Sequence, residues 1–130
     1  MKESIFTKIA NREIPSYIMH EEEKYMAFLD INPAIYGQTL VIPKEWHDSY
    51  LFNNEDAFLQ EFILYVKKVA KLIDSKLGSE RCIIVFEGYG VDHLHARLYP
   101  VRTEEDKGLD FHKTEKLSEE TAKEILGLLK

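Results

Sequence analysis

The chain has 130 residues, is 45% hydrophobic and 31% charged, and carries a formal net charge of -6. That length buries one core with no room for a second, and its longest apolar run, Cys82-Ile83-Ile84-Val85-Phe86, is far short of the roughly 18 residues of a membrane span. The acidic balance speaks against a duplex nucleic-acid binder, which needs a basic surface to neutralise phosphates, so any anionic ligand must be held by a small local constellation.

Charges interrupt the N-terminal stretch Met1-Lys2-Glu3-Ser4-Ile5-Phe6-Thr7-Lys8 before a leader-like apolar core forms, so the expected location is the cytoplasm. Ser4 is placed to cap a short helix over residues 5–12, with Ile5, Phe6 and Ile9 on its apolar face and Pro15 stopping it. Strands are expected over 16–20 and 24–29, with the acidic Glu21-Glu22-Glu23 as a solvated hairpin tip, and a third, β-branched strand over 37–43. Asn53 or Asn54 is expected to cap the longest helix. Its apolar residues Phe58, Phe62, Val66, Val69, Ile73 and Leu77 recur at three- and four-residue spacing, and Gly78 ends it. Strands over 81–87 and 91–101 follow, joined by the turn Gly88-Tyr89-Gly90. A polar loop over 102–116 leads to a C-terminal helix capped by Ser118. Together these elements predict a single α+β domain over residues 1–130. Its antiparallel sheet has about five strands with one long helix packed on a face, and a C-terminal helical extension covers about 117–130. The single cysteine, Cys82, opens an apolar run and reads as a small buried hydrophobe.

The most informative segment is Val91-Asp92-His93-Leu94-His95-Ala96-Arg97-Leu98-Tyr99-Pro100. In a strand, His93, His95, Arg97 and Tyr99 project to one side and Leu94, Ala96 and Leu98 into the core, with same-face neighbours about 6.6 Å apart. Three readings are open. The row is a solvated sheet face, or His93 and His95 ligate zinc with Asp92, His47 or His112, or an imidazole attacks phosphorus beside a guanidinium that stabilises phosphoryl charge. Arg97 repels a dication, which disfavours the second.

The stretch from His93 to Pro100 resembles the histidine-triad signature His-φ-His-φ-His-φ-φ of the HIT superfamily, nucleotide hydrolases and nucleotidyl transferases, with arginine in place of the third histidine. Three further blocks stand in the family's order: Ser4-Ile5-Phe6-Thr7-Lys8-Ile9 with Glu13-Ile14-Pro15, then Ala27-Phe28-Leu29-Asp30-Ile31-Asn32-Pro33, then Thr39-Leu40-Val41-Ile42-Pro43-Lys44. The resemblance covers residues 4–101. It implies a HIT-like fold and a covalent nucleotidyl intermediate on His95, with His93 as the first signature histidine and Arg97 as a phosphate contact. It further implies that Asp30 accepts from ribose hydroxyls, that Phe6, Ile9, Phe28 and Ile31 form a slot for the base, and that the protein is a homodimer with sheets pairing across the dimer axis. The implied ligand is a purine nucleotide or dinucleoside polyphosphate, with no cofactor and no metal needed for the chemistry.

Three departures stand out. Arg97 replaces the third histidine, Gln38 replaces the histidine of the family's Gly-His-Thr segment, and the loop Glu87-Gly88-Tyr89-Gly90-Val91-Asp92 lacks the Gly-Gln-Ser/Thr of many hydrolase members. Because guanidinium does not release its proton, Arg97 keeps a positive contact and removes a proton donor worth roughly 10² to 10⁴ in rate. Poor leaving groups are therefore expected to suffer most. Two functions are weighed: a hydrolase or nucleotidyl transferase, and a nucleotide-binding sensor or scaffold that has lost turnover.

Overall fold

The computed structural model describes residues 2–130. Helix α1 (Ile5–Ala10) begins at a capping box in which the Ser4 hydroxyl accepts from the Phe6 and Thr7 amides while the Thr7 hydroxyl accepts from the Ser4 amide. It is shorter than the periodicity suggests, because Arg12 takes a left-handed conformation, φ 64°, that unwinds the chain before Pro15. Strands β1 (Ile18–Glu21) and β2 (Tyr25–Leu29) form the expected hairpin, and Glu21 belongs to the strand rather than its tip. Strand β3 is Thr39–Pro43.

Helix α2 (Asp56–Leu77) is the long helix, about 33 Å from end to end. Gly78 closes it in the left-handed conformation that a residue with a Cβ rarely adopts. Its cap position is Glu55, not Asn53 or Asn54. Those two residues sit in and just after a 3-10 turn (Leu51–Asn53), where the Asn54 amide donates to the carbonyls of Asp48, Tyr50 and Leu51 and so braces the preceding loop. Strand β4 (Arg81–Val85), strand β5 (Ala96–Val101) and helix α3 (Glu119–Leu128), capped by Ser118, complete the chain.

All strand pairs are antiparallel, in the order β1-β2-β3-β5-β4. The sheet is open, and β4 is an edge strand with Ile84 exposed. Alternation along the strands divides the core in two. Tyr25, Ala27, Leu29, Val41, Leu94, Ala96 and Leu98 face Phe62, Val66, Val69 and Ile73 of α2 and Ala122 and Ile125 of α3. Met26, Phe28, Leu40 and Ile42 face Phe6 and Ile9 of α1. The central strands are thus buried on both faces, so β2 and β3 show no polar alternation. Helix α3 belongs to the main core and is tied down by a Tyr36–Glu124 hydrogen bond, with Arg102 lying over the Tyr36 ring at 4.2 Å.

Candidate active site around His95

The signature segment enters the sheet later than strand alternation predicts. The ladder begins at Ala96, and residues 91–95 form an irregular bend in which the His93 amide donates to the Val91 carbonyl at 3.0 Å. Leu94 is pinned by its amide to the His47 carbonyl and buries its side chain toward α2. The two flanking histidines point the other way, against Phe6, whose ring meets His93 and His95 edge-on with centroids 5.7 and 5.0 Å away. His93 is fully buried and His95 is 2% exposed, so the solvated-face reading fails for both.

Both nitrogens of His93 are occupied. Its Nε2 lies 2.8 Å from the Pro43 carbonyl, which can only accept, so Nε2 carries the proton. Its Nδ1 then accepts from the Ser4 hydroxyl at 2.8 Å. Ser4 therefore caps α1 and locks the first signature histidine at once. With no nitrogen left, His93 has no lone pair for a metal. Burial pushes its pKa down to about 4. Between the ordinary value near 6.5 and about pH 4 the unfolded chain binds a proton that the folded one refuses, so this contribution, on the order of 3 kcal/mol, is present above pH 6.5 and lost as the pH falls. Denaturant unfolding at pH 7 and pH 4.5 measures it. The His93→Gln protein should show a flatter pH dependence in that window, and an unchanged slope would count against a buried neutral His93.

The tautomer of His95 is fixed as well. Its Nδ1–H donates to the His93 carbonyl at 2.7 Å, which leaves the lone pair on Nε2, and that buried atom has no hydrogen-bond partner among the described residues. Burial and the nearby Arg97 guanidinium outweigh the His93 carbonyl and Glu87, holding the imidazole below its ordinary pKa and hence neutral at pH 7.

Arg97 lies between two carboxylates, with Nε 3.4 Å from Asp30 Oδ2 and an Nη 3.5 Å from Glu87 Oε1. Asp30 is buried at the end of β2, where Oδ1 accepts from the Asn32 amide and Oδ2 from Gln38 Nε2. Gln38 is also buried. Its carbonyl accepts from the Ala34 amide, so both ends of its amide hold the turn around Asp30 rather than reach toward His95. Glu87 is the neighbour that motif reasoning does not reveal, with Oε1 3.6 Å from His95 Nε2. Its signal is the register that sets Val85 opposite Arg97, which carries Glu87 alongside His95.

Among the residues expected to form a slot, Phe6, Ile9 and Phe28 are buried in the cluster under α1, whereas Ile31 is 56% exposed on the turn after Asp30. Tyr99 is buried with its ring edge-on to Phe111, and its hydroxyl lies near enough to Arg97, Asp30 and Glu87 for their charges to act on it. Among the described residues no three His, Cys, Asp or Glu side chains are grouped to hold a metal ion. The Asp92 carboxylate accepts from Ser49, His47 stacks on Phe58 at 3.8 Å, and burial pushes the Cys82 thiol up to about 12. A cleft of about 510 Å³ lies beside the Asp30–Gln38 turn and is walled by Lys113, Lys116 and Ser118, away from His95. No helix among the described residues is long and apolar enough to cross a membrane.

The chain has relatives among known proteins in both sequence and fold. A family model described as the HIT domain matches residues 11–103. An uncharacterised HIT-like protein of Borreliella burgdorferi is 36% identical over 128 residues, covering 95% of this chain and 91% of that protein. A Candida albicans protein named adenosine 5'-monophosphoramidase is 35% identical over 142 residues, covering 93% of this chain and 90% of that protein. In three dimensions the chain is similar to a hypothetical histidine triad nucleotide-binding protein of Sulfolobus tokodaii, with TM-score 0.83, 26% identity, and coverage of 96% of this chain and 88% of that one. The sequence match over most of the chain and the shared open antiparallel sheet agree: this protein belongs to the HIT family.

Proposed function

We propose that this protein is a nucleotide hydrolase or nucleotidyl transferase that splits a nucleoside phosphate, a dinucleoside polyphosphate or similar, through a nucleotidyl adduct on His95 Nε2. The observation that carries the reading is the fixed tautomer of His95, whose Nδ1–H is bound to the His93 carbonyl and whose buried Nε2 is unpaired. Attack by Nε2 on phosphorus expels the leaving group and places a formal positive charge on the ring, which the His93 carbonyl stabilises through Nδ1–H. Arg97 holds the phosphoryl oxygens. Relatives named adenosine 5'-monophosphoramidase, at 35% and 36% identity over most of this chain, support a nucleotide substrate.

Asp30 is read as the ribose acceptor and Gln38 as the residue that positions it. A carboxylate has lone pairs for about four bonds, so the contacts to Asn32 and Gln38 leave Asp30 capacity for ribose hydroxyls. Phe6, Ile9, Phe28 and Ile31 are read as the base slot, and the open edge of β4 as the strand through which two copies pair. The Asp30→Ala variant should weaken binding of ribonucleotides about tenfold more than that of deoxyribonucleotides, as calorimetry would measure; equal losses would remove the ribose contact.

The adduct is the direct test. The protein is incubated with a diadenosine polyphosphate and with an adenosine phosphoramidate, quenched in mild base and weighed intact. A mass increase of one adenylyl group supports the reading. The absence of adduct and turnover together with tight AMP binding would support a second reading, favoured by the replacements at Arg97 and Gln38, in which the fold is a nucleotide sensor or scaffold.

A further inference from the structure

Glu87 stands where motif reasoning expects no acid. It follows β4 in a loop that has little freedom: Gly88 has φ 72°, and a Cβ there would lie 2.9 Å from the Ser49 carbonyl oxygen. One carboxylate oxygen of Glu87, Oε2, is anchored by the Tyr89 amide at 2.7 Å. The other, Oε1, faces the two groups that deal with phosphate, at 3.6 Å from His95 Nε2 and 3.5 Å from Arg97. These separations exceed hydrogen-bond length, so Oε1 approaches the reacting atom without engaging it. An oxygen this close to Nε2 comes within reach of the groups around a phosphorus bonded to that nitrogen.

Charge counting adds a second constraint. A single guanidinium here faces two carboxylates, Asp30 and Glu87, before any phosphate arrives. Asp30 is held by the Asn32 amide and Gln38, both donors that require it to accept. Glu87 is the carboxyl whose inner oxygen is available to carry a proton when a third anionic group enters. Burial pushes Glu87 up, but the Tyr89 amide and Arg97 outweigh it and hold it below the usual range. A phosphate that takes over Arg97 and places negative charge beside Oε1 works in the opposite direction.

We propose that Glu87 is the proton-transfer group of the reaction, in the role that a guanidinium at position 97 is unable to perform. The proposal rests on the reading of His95 as nucleophile. In the first step the Nε2 lone pair of His95 forms a bond to phosphorus and the bond from phosphorus to the leaving oxygen or nitrogen breaks. Glu87, a carboxylate in the free protein, takes up one proton from solvent as the phosphate binds, and the leaving atom keeps that electron pair and takes this proton. In the second step a water oxygen bonds to phosphorus, the N–P bond breaks with its pair returning to His95, and the water proton passes to the Glu87 carboxylate. The proton on Glu87 returns to solvent as the product leaves Arg97, which restores the free enzyme, and an amine leaving group is served as well as a phosphate one.

The test is Glu87→Gln, which keeps an acceptor for the Tyr89 amide but neither gives nor takes a proton. Adduct formation from an adenosine phosphoramidate should fall roughly 10²-fold or more, while formation from an adenylate with an acidic leaving group such as p-nitrophenol should stay within a few-fold of wild type. Decay of the adduct should slow by a similar roughly 10²-fold, so that the variant accumulates it in intact-mass spectra. Equal effects on both substrates, or adduct decay at the wild-type rate, would overturn the role of Glu87 while leaving the His95 adduct standing. If wild-type protein forms no adduct from either substrate, the nucleophile reading falls and takes the Glu87 role with it. AMP affinity of the variant, measured by calorimetry, checks that the site is intact, since loss of one carboxylate charge should leave it unchanged or tighter.

Discussion

The His95→Ala protein is expected to lose turnover of adenosine phosphoramidate and diadenosine polyphosphate by about 10⁴-fold to 10⁶-fold, because the atom that would bond to phosphorus is gone. Its affinity for AMP should change far less. The phosphate contact in this reading is Arg97, and the imidazole is held neutral by burial and by that same guanidinium. Steady-state kinetics with calorimetry separates the two quantities, and intact mass should show no adenylyl group on the variant. The size of the expected loss follows from the packing. Ser4 and Pro43 fix His93, the His93 carbonyl fixes the tautomer of His95, and Phe6 covers the pair. No other described residue offers an unpaired, buried imidazole nitrogen to replace it. Turnover by the alanine variant near the wild-type rate would show that the chemistry runs without the adduct.

The second large effect is on stability. Phe62 is fully buried in the N-terminal third of α2, and its ring lies 5.8 Å from those of both Tyr25 and Phe58 and 6.5 Å from that of Phe86. It joins the long helix to β2 and to the residue that precedes Glu87. Truncation to alanine removes the ring's contacts and leaves a void among the rings that surround it. The expected cost is about 3 to 5 kcal/mol, or roughly 10 to 20 °C in Tm for a domain of this size. Urea unfolding with an unchanged m value would measure it, and a loss below about 1 kcal/mol would mean that the helix is held elsewhere.

Local pattern carried much of the architecture because local forces produce it. The three- and four-residue spacing along α2 marked the face that now packs on the sheet, and Gly78 stops it where a left-handed residue is required. Ser4 and Ser118 cap the helices they precede. The hairpin of β1 and β2 forms as the alternation of turn and apolar residues suggested. Expectations failed where a competing contact outweighed a local preference. Asn54 is a good cap residue, yet it holds three loop carbonyls instead of the end of α2. His93 and His95 alternate in sequence like strand residues, but the Val91 and His47 carbonyls hold their backbone in a bend outside the ladder.

Read as residues alone, this acidic 130-residue chain already carried an α+β pattern, a family resemblance and a candidate nucleophile, since composition, periodicity and a short motif lie along the chain. What folding added was partnership at a distance. The hydroxyl of Ser4 meets a ring 89 residues away, Gln38 turns its amide onto Asp30, and the β4–β5 register brings Glu87 beside His95. None of these has a local signature, because each depends on how two elements are aligned after they pack. A one-residue shift in the β4–β5 register would displace Val85 from Arg97 and carry the loop that holds Glu87 away from His95.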